Sequence, residues 1–429
     1  MADGTTAAVA TSEALEALTA SVRGGVLRPG HAGYDGARRV WNGMIDRRPE
    51  LIARCSGAAD VIDAVNFARA HGLAVAVRGG GHNVAGSAVG DGGVMVDLSP
   101  LRGVRVDPAA RTVRVGGGAT WADVDRETQV FGLATPSGYV STTGVGGFTL
   151  GGGYGALRRK YGMTCDNLRS ADVVTAAGEL LTASADEHAD LFWALRGGGG
   201  NFGVVTSFEF ACHPVGPEIF LCGVMYPVEQ GAAVLRAWRD FMAQAPEDLS
   251  SNAALWSIPA VPAFPAELHG RPVVLLAMLH PSDLAEGERL TQPLRQLGAP
   301  LLDLSGPMPY VMAQAAFDPF FPSGTRRYYW KGIDLLSLDD AVIERLLAAA
   351  EARPTPSTII PIWHFGGAMS RIAPDATAFW RRHVPFMASF DAVWDDPADD
   401  EKGIGWARES WAALRPHSDG GQYVNFPGF

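Results

Sequence analysis

Cysteine is scarce in this chain: four in 429 residues, at positions 55, 165, 212 and 222. No two of them make a C-x-x-C pair, so a disulfide scaffold is excluded and a structural zinc site has no support. Positive charge is also short, with 35 Lys and Arg against 46 Asp and Glu, a net −11. The basic residues come as scattered doublets such as Arg38-Arg39 and Arg326-Arg327. They form no stripe, which argues against nucleic acid as a partner. No stretch of ~18 consecutive apolar residues occurs, so no membrane span is expected. Residues 1–22 contain neither Lys nor Arg, nor the apolar run of a secretory signal, and the chain reads as cytoplasmic. The P-loop, H-E-x-x-H and G-x-S-x-G patterns are missing too. The acidic group Asp395, Asp396, Asp399, Asp400 and Glu401 reads as a solvated loop, and no metal site is expected.

Glycine, by contrast, is abundant. There are 52, and 20 of them fall within residues 78–155, where an even spread would put about nine. Glycine this dense is costly in chain entropy. Its usual justification is backbone that must approach something closely. The length suggests two to three domains at ~150 residues each, and a hydrophobic fraction of 47% supports a large core.

Apolar periodicity and turn residues sketch the elements. Ser12 caps a helix over 13–22. Residues 51–55 read as a strand, followed by a helix capped by Ser56 and stopped at Gly72. Residues 73–77 read as a buried strand and 94–96 as another. Residues 104–106 and 112–115 make a hairpin, and 121–131 a helix closed by Gly132. A second hairpin spans 172–182, a helix 186–195, and a strand 204–210. After about residue 215 glycine thins out. Helices over 232–242 and 341–350 alternate with apolar strands over 272–278 and 358–362. A domain boundary is expected near Pro214–Pro217.

Four segments stand out. Arg78-Gly79-Gly80-Gly81-His82-Asn83 follows a strand, so its backbone N–H groups can converge as an anion nest; alone it also fits a tight surface turn. Gly138–Gly155 is glycine-rich with apolar interruptions. Its loose match to G-x-G-x-x-A at Gly151, Gly153 and Ala156 lacks the strand before it and the acidic residue ~20 positions after it. An extended backbone wall along a flat ligand is the better reading, with a flexible loop as the alternative. Gly197–Gly203 is another close-approach turn. Near the end, Tyr423-Val424-Asn425-Phe426 alternates, which places Tyr423 and Asn425 on one face of a strand. A plain edge strand would look the same.

Together these segments resemble the berberine-bridge-enzyme-like branch of the vanillyl-alcohol-oxidase flavoproteins, closest in style to bacterial 6-hydroxynicotine oxidases and antibiotic-pathway oxidases. The resemblance runs along essentially the whole chain. It is most specific at Arg78–Asn83, Gly144–Gly155, Lys160–Asn167 and Asp190–Gly203. It implies an α+β fold: a two-part FAD-binding domain with an inserted substrate domain of antiparallel sheet plus helices. The expected division is a lead-in over 1–35, an FAD-binding domain over 36–213, a substrate domain over 214–390 and a return to the FAD-binding domain over 391–429. Relatives continue some tens of residues past the Tyr-x-Asn segment, whereas this sequence stops at Phe429, so the returning part reads as truncated.

By the same resemblance, Arg78, Gly79, Gly80, Gly81 and Asn83 cradle the pyrophosphate, and His82 bonds covalently to the 8α-methyl of the flavin. Gly138, Thr142, Thr143, Gly144, Gly147, Gly151, Gly152, Tyr154 and Gly155 line the cofactor. Asp166, Asn167, Gly203 and Val204 hold its far side. Many relatives carry a cysteinyl second anchor four residues before Gly144; Val140 stands there, so a single anchor at His82 is expected. Thr143 matches the position that gates oxygen, where a Leu would block it. Tyr423 matches the catalytic base, and Asn425 would orient flavin or substrate. The implied reaction is hydride transfer from a substrate C–H next to oxygen or nitrogen to flavin N5, with oxygen as acceptor, in secondary metabolism or small-molecule catabolism. Trp330 and Trp363 are candidates for an apolar substrate pocket. The alternatives are a dehydrogenase with another acceptor, or a non-redox catalyst or flavin-binding protein on the same scaffold. The substrate and the oligomeric state are not specified.

Overall fold

Residues 11–426 and 428 are described by the structure, a computed structural model; the first ten residues of the expected lead-in lie outside them. Thr11, rather than Ser12, caps the first helix, Ser12–Ser21, by accepting a hydrogen bond from the Ala14 amide.

The described residues form four sheets, the smallest of which only pairs Leu133–Ala134 with His213–Pro214. The first runs Val26–Leu27, Leu51–Arg54, Val94–Asp97, Val75–Arg78, with the last three parallel. Helix Ala58–Ala70 connects two of them and buries Val61, Ala64, Val65 and Ala68 against the sheet. Gly57 is the cap residue; Ser56 instead bonds Asp60 with both its amide and its hydroxyl. The strand expected to be buried over 73–77 is Val75–Arg78, at the sheet edge, with Val75 exposed. Val75, Ala76 and Val77 border the cavity described below, and Val77 also packs on the first sheet's core.

The second sheet is antiparallel, in the order Val104–Asp107, Thr112–Gly116, Val204–Ala211, Leu168–Val174, Leu180–Ser184. Helix Trp121–Gln129 packs Trp121 and Val124 into its core. The glycine-rich segment is not extended throughout. Val145–Leu150 forms a short helix, because Thr149 and Leu150 have a core to bury into.

From Glu218 onward, every strand among the described residues joins one antiparallel sheet of eight. Its main path includes Glu218–Pro227, Pro272–His280, Ser250–Ser257, Ile360–His364, Phe386–Trp394 and Arg327–Leu335. Helices Gly231–Met242, Asp340–Glu351 and Asp400–Leu414 cover one face, where Trp238, Leu346 and Trp406 close the core. The other face looks toward the glycine-rich loops.

Two expectations about the end of the chain are corrected. Residues 391–417 stay with the large sheet: strand Phe386–Trp394 is buried at all nine positions and helix Asp400–Leu414 packs on it. The crossing back to the glycine-rich loops therefore falls after about residue 418. Tyr423–Phe426 is a turn and not a strand, with Phe426 N–H donating to the Tyr423 carbonyl at 2.9 Å.

Candidate functional site

A cavity of about 590 Å³ lies between the loops of the first half and the uncovered face of the eight-stranded sheet. Gly79–Asn83, the 138–147 segment and Gly199–Gly203 form one side. Asn252, Ala254, Pro361, Trp363, Trp330 and Asp391 form the other, and Tyr423–Phe426 closes one end.

The strand Val75–Arg78 delivers the first loop. Arg78 does not line the cavity. Its guanidinium turns back to Asp97 at 3.0 Å and to the carbonyls of Ala37 and Arg39 at 2.6 and 3.2 Å, which fixes where the loop starts. Gly81 has φ +70°, a conformation that side chains resist. A Cβ on Gly80 would meet the Gly144 amide at 2.4 Å, so two glycines are needed where these loops touch. The N–H groups of Gly79 through Asn83 donate to no described residue. Five neighbouring unpaired donors on a cavity wall suit an anion of several oxygens, and the diphosphate of FAD is such a group.

His82 borders the same cavity. Its Nε2 lies 2.8 Å from the Thr142 hydroxyl, and no described residue bonds its Nδ1. Loss of solvent around the ring pushes its pKa down, to about 3, so the imidazole is neutral and keeps a lone pair. Thr142 acts through His82 and is not itself on the lining.

Tyr423 and Asn425 come together even though they lie in a turn. Asn425 Nδ2 donates to the Tyr423 phenol oxygen at 2.8 Å, and the Gly153 amide donates to it at 3.1 Å. Two N–H donors on one phenol leave its own O–H for the cavity. Burial raises the Tyr423 pKa, and Asn425 and Gly153 offset this only in part.

Comparison with known proteins decides the family. Residues 49–184 match the model of an FAD binding domain. An FAD-linked oxidoreductase of Dictyostelium discoideum is 31% identical over 403 residues, 93% of this chain and 86% of that protein. The chain belongs to the FAD-linked oxidoreductases. The (R)-6-hydroxynicotine oxidase of Paenarthrobacter nicotinovorans is 42% identical over 203 residues, 47% of this chain and 44% of that protein. The crystal structure of 6-hydroxy-D-nicotine oxidase from Arthrobacter nicotinovorans superposes with a TM-score of 0.84 at 29% identity, covering 95% of this chain and 89% of that one. The fold is thus that of the berberine-bridge-enzyme-like flavoproteins, as the motifs implied.

Within this oxidoreductase the expected cofactor residues divide. Gly79, Gly80, Gly81, His82 and Asn83 line the cavity, as do Gly138, Thr143, Gly144, Gly147, Tyr154 and Gly203. Others are corrected. Asp166 makes a two-pronged ion pair with buried Arg382, both bonds 2.7 Å. Asn167 donates to the carbonyls of Tyr161 and Met163 and bonds His213. Neither reaches the cavity, because each is fully engaged in holding the 161–167 turn. Val204 points into the first sheet's core, and by strand alternation Val205 faces the cavity instead. Gly151 and Gly155 are glycine for packing: a Cβ would strike the Asn425 amide at 2.4 Å or the Ser137 carbonyl at 1.6 Å. Gly152, with φ +110°, sits against Met163 and Phe379.

Sequence reasoning missed three features. Asp391 is buried on the lining, and among the described residues its side-chain partner is the Ser389 hydroxyl. Burial pushes its pKa up to about 8. A lone carboxylate inside the apolar run Phe386–Trp394 was the available signal. Trp330 stands opposite Asp391 in strand register, and its indole N–H is buried without a partner among the described residues. Tyr139 and Asn252 are hydrogen-bonded to each other on the lining.

Proposed function

We propose that this FAD-linked oxidoreductase takes a hydride from a substrate C–H next to oxygen or nitrogen, with FAD joined to His82 alone and oxygen as the final acceptor. One observation carries this reading: the unpaired N–H run of Gly79–Asn83, with His82 in it, opens onto the same cavity as the Tyr423–Asn425 pair. Bound FAD supplies the hydride acceptor. The loop N–H groups hold its diphosphate, and Arg78 fixes the loop. Val140 lines the cavity without a sulfur, leaving His82 as the single anchor. Thr143, also on the lining, is small enough to leave oxygen a path. Tyr423 is the base in its phenolate form: held by the Gly153 and Asn425 N–H groups, its oxygen takes the proton of the substrate's O–H or N–H as the C–H bond breaks and ends as the neutral phenol. Asp391, titrating near neutrality on the facing wall, is the second proton-handling group. In this division residues 36–213 with 418–426 hold the cofactor and 217–417 shape the substrate. Small-molecule catabolism or secondary metabolism is the setting.

The test is the visible spectrum before and after acid precipitation, followed by oxygen uptake and peroxide release with alcohols, sugars and cyclic amines. Yellow colour in the precipitate and peroxide with one substrate class are expected. Colour moving to the supernatant removes the covalent bond. Flavin bleaching without oxygen uptake makes the protein a dehydrogenase. As a base, Asp391 must be ionised, so kcat/KM should rise with pH through about 8. Asp391→Asn should lose that limb.

A further inference from the structure

Arg158 is completely buried, and no carboxylate of a described residue pairs with it. It has five N–H groups, and all five are in use. Nε donates to the His364 carbonyl at 2.9 Å and one Nη2 hydrogen to the same oxygen at 2.6 Å. The other Nη2 hydrogen goes to the Ser251 carbonyl. Nη1 donates to the Gly155 carbonyl at 2.9 Å and to the Tyr139 phenol oxygen.

A guanidinium only donates, so the Tyr139 oxygen must accept. Its single O–H therefore points onward, to Asn252 Oδ1 at 3.0 Å. That fixes the Asn252 amide: the oxygen faces Tyr139 and Nδ2 faces away. No described residue accepts a hydrogen bond from Nδ2, and both Tyr139 and Asn252 line the cavity. The sheet positions next to Asn252 are apolar, with Asp391 and Trp330 further along the same wall. Trp363 lies opposite Asn252 in register, and Ala254, Ala277 and Pro361 surround them. The buried cation at the far end polarises the whole chain toward the cavity.

We propose that Asn252 Nδ2 determines specificity, as an oriented donor for a carbonyl-type oxygen on the part of the substrate that lies over the apolar sheet positions around it. Arg158 and Tyr139 are its positioning residues. This rests on the reading of the cavity as the substrate site of a flavin enzyme. The probes are 4′-fluoroacetophenone and 4-fluoro-α-methylstyrene, which share a shape and differ in the acceptor oxygen. Each is titrated into the holoenzyme and followed by fluorine NMR. The ketone should bind about tenfold tighter, the worth of one oriented hydrogen bond, against its lower hydrophobicity. Asn252→Leu should abolish the preference, and Tyr139→Phe should reduce it while leaving styrene affinity within about twofold. If Asn252→Leu fails to fold, the isosteric Asn252→Asp places an acceptor there and should reverse the preference. Equal affinities in the wild type, no binding of either probe, or a preference that survives in both Asn252 variants overturns the proposal. Flavin absorbance of the same samples separates the two levels. A colourless protein sinks the flavin-enzyme reading, whereas a yellow protein with no preference sinks only the Asn252 assignment.

Discussion

Trp41 lies flat against His82, ring centroids 4.8 Å apart and planes 22° from parallel. Trp41 is itself fixed, stacked on Tyr328 at 3.9 Å with its indole N–H on the Phe321 carbonyl at 3.0 Å. Thr142 holds the remaining side of the imidazole. The ring is therefore aimed before any cofactor arrives, which is what formation of a bond at one ring nitrogen requires.

His82→Ala should give a protein whose flavin colour moves to the supernatant on acid precipitation. Trp41→Phe keeps part of the stack and should slow covalent incorporation without preventing it. The time course of acid-stable absorbance after adding FAD to apoprotein measures both. Full acid-stable colour in His82→Ala would place the bond elsewhere.

Tyr423→Phe removes the oxygen that receives the Gly153 and Asn425 N–H groups. Two donors then lose their partner, at a cost of about 1–3 kcal/mol in stability. Turnover should fall by about 10²- to 10⁴-fold if the phenol handles the substrate's proton. Asn425→Ala leaves the phenol in place and should reduce turnover far less. Steady-state rates alongside denaturant unfolding separate the two effects, and unchanged kcat in Tyr423→Phe would end its catalytic assignment.

Asp125 and Asp391 make stability depend on pH. Asp125 is buried with neither carboxyl oxygen bonded by a described residue; the two N–H groups of neighbouring Gln314 go to Ser137 and Gly138. Burial pushes the pKa of each aspartate up to about 8, whereas an unfolded Asp ionises near ~4. Between those values the native state holds the extra proton. The stability these carboxyls allow is complete below ~4 and is lost as pH rises through about 8, each contributing at most ~1.4 kcal/mol per pH unit. Asp125→Asn should flatten this decline in urea unfolding measured from pH 5 to 8. A slope identical to wild type would mean that Asp125 is ionised in the fold.

Asp166→Asn removes one partner of the buried pair with Arg382, whose guanidinium also bonds Thr377 at 2.8 Å. A buried cation left unpaired costs about 3–5 kcal/mol. Thermal unfolding should show that loss, while the fraction that stays folded should keep its flavin spectrum. Normal stability combined with lost flavin would return Asp166 to the cofactor site.

Local sequence carried much of this protein. Hairpins, most helices and the loop Arg78–Asn83 follow from turn residues and apolar spacing, because strand period and glycine conformation are properties of a few consecutive residues. The pairing of Tyr423 with Asn425 was legible too, although the reason given for it was not, since a turn brings them together and not the alternation of a strand. Asp166 and Asn167 looked like cofactor ligands by position in a motif. Their partners, Arg382 and His213, stand 216 and 46 residues away, and only packing shows that those partners occupy them.

By itself, then, the sequence located the glycine-rich loop and the single histidine in it, and its family resemblance implied the antiparallel sheet of the second half. Tertiary structure decided which of those residues face the cavity and which face a core. It alone placed Asp391 and Asn252 opposite the cradle. Burial, and the direction in which a hydrogen bond must run from Arg158, depend on neighbours brought from strands and loops far apart in the chain, and no local pattern encodes them.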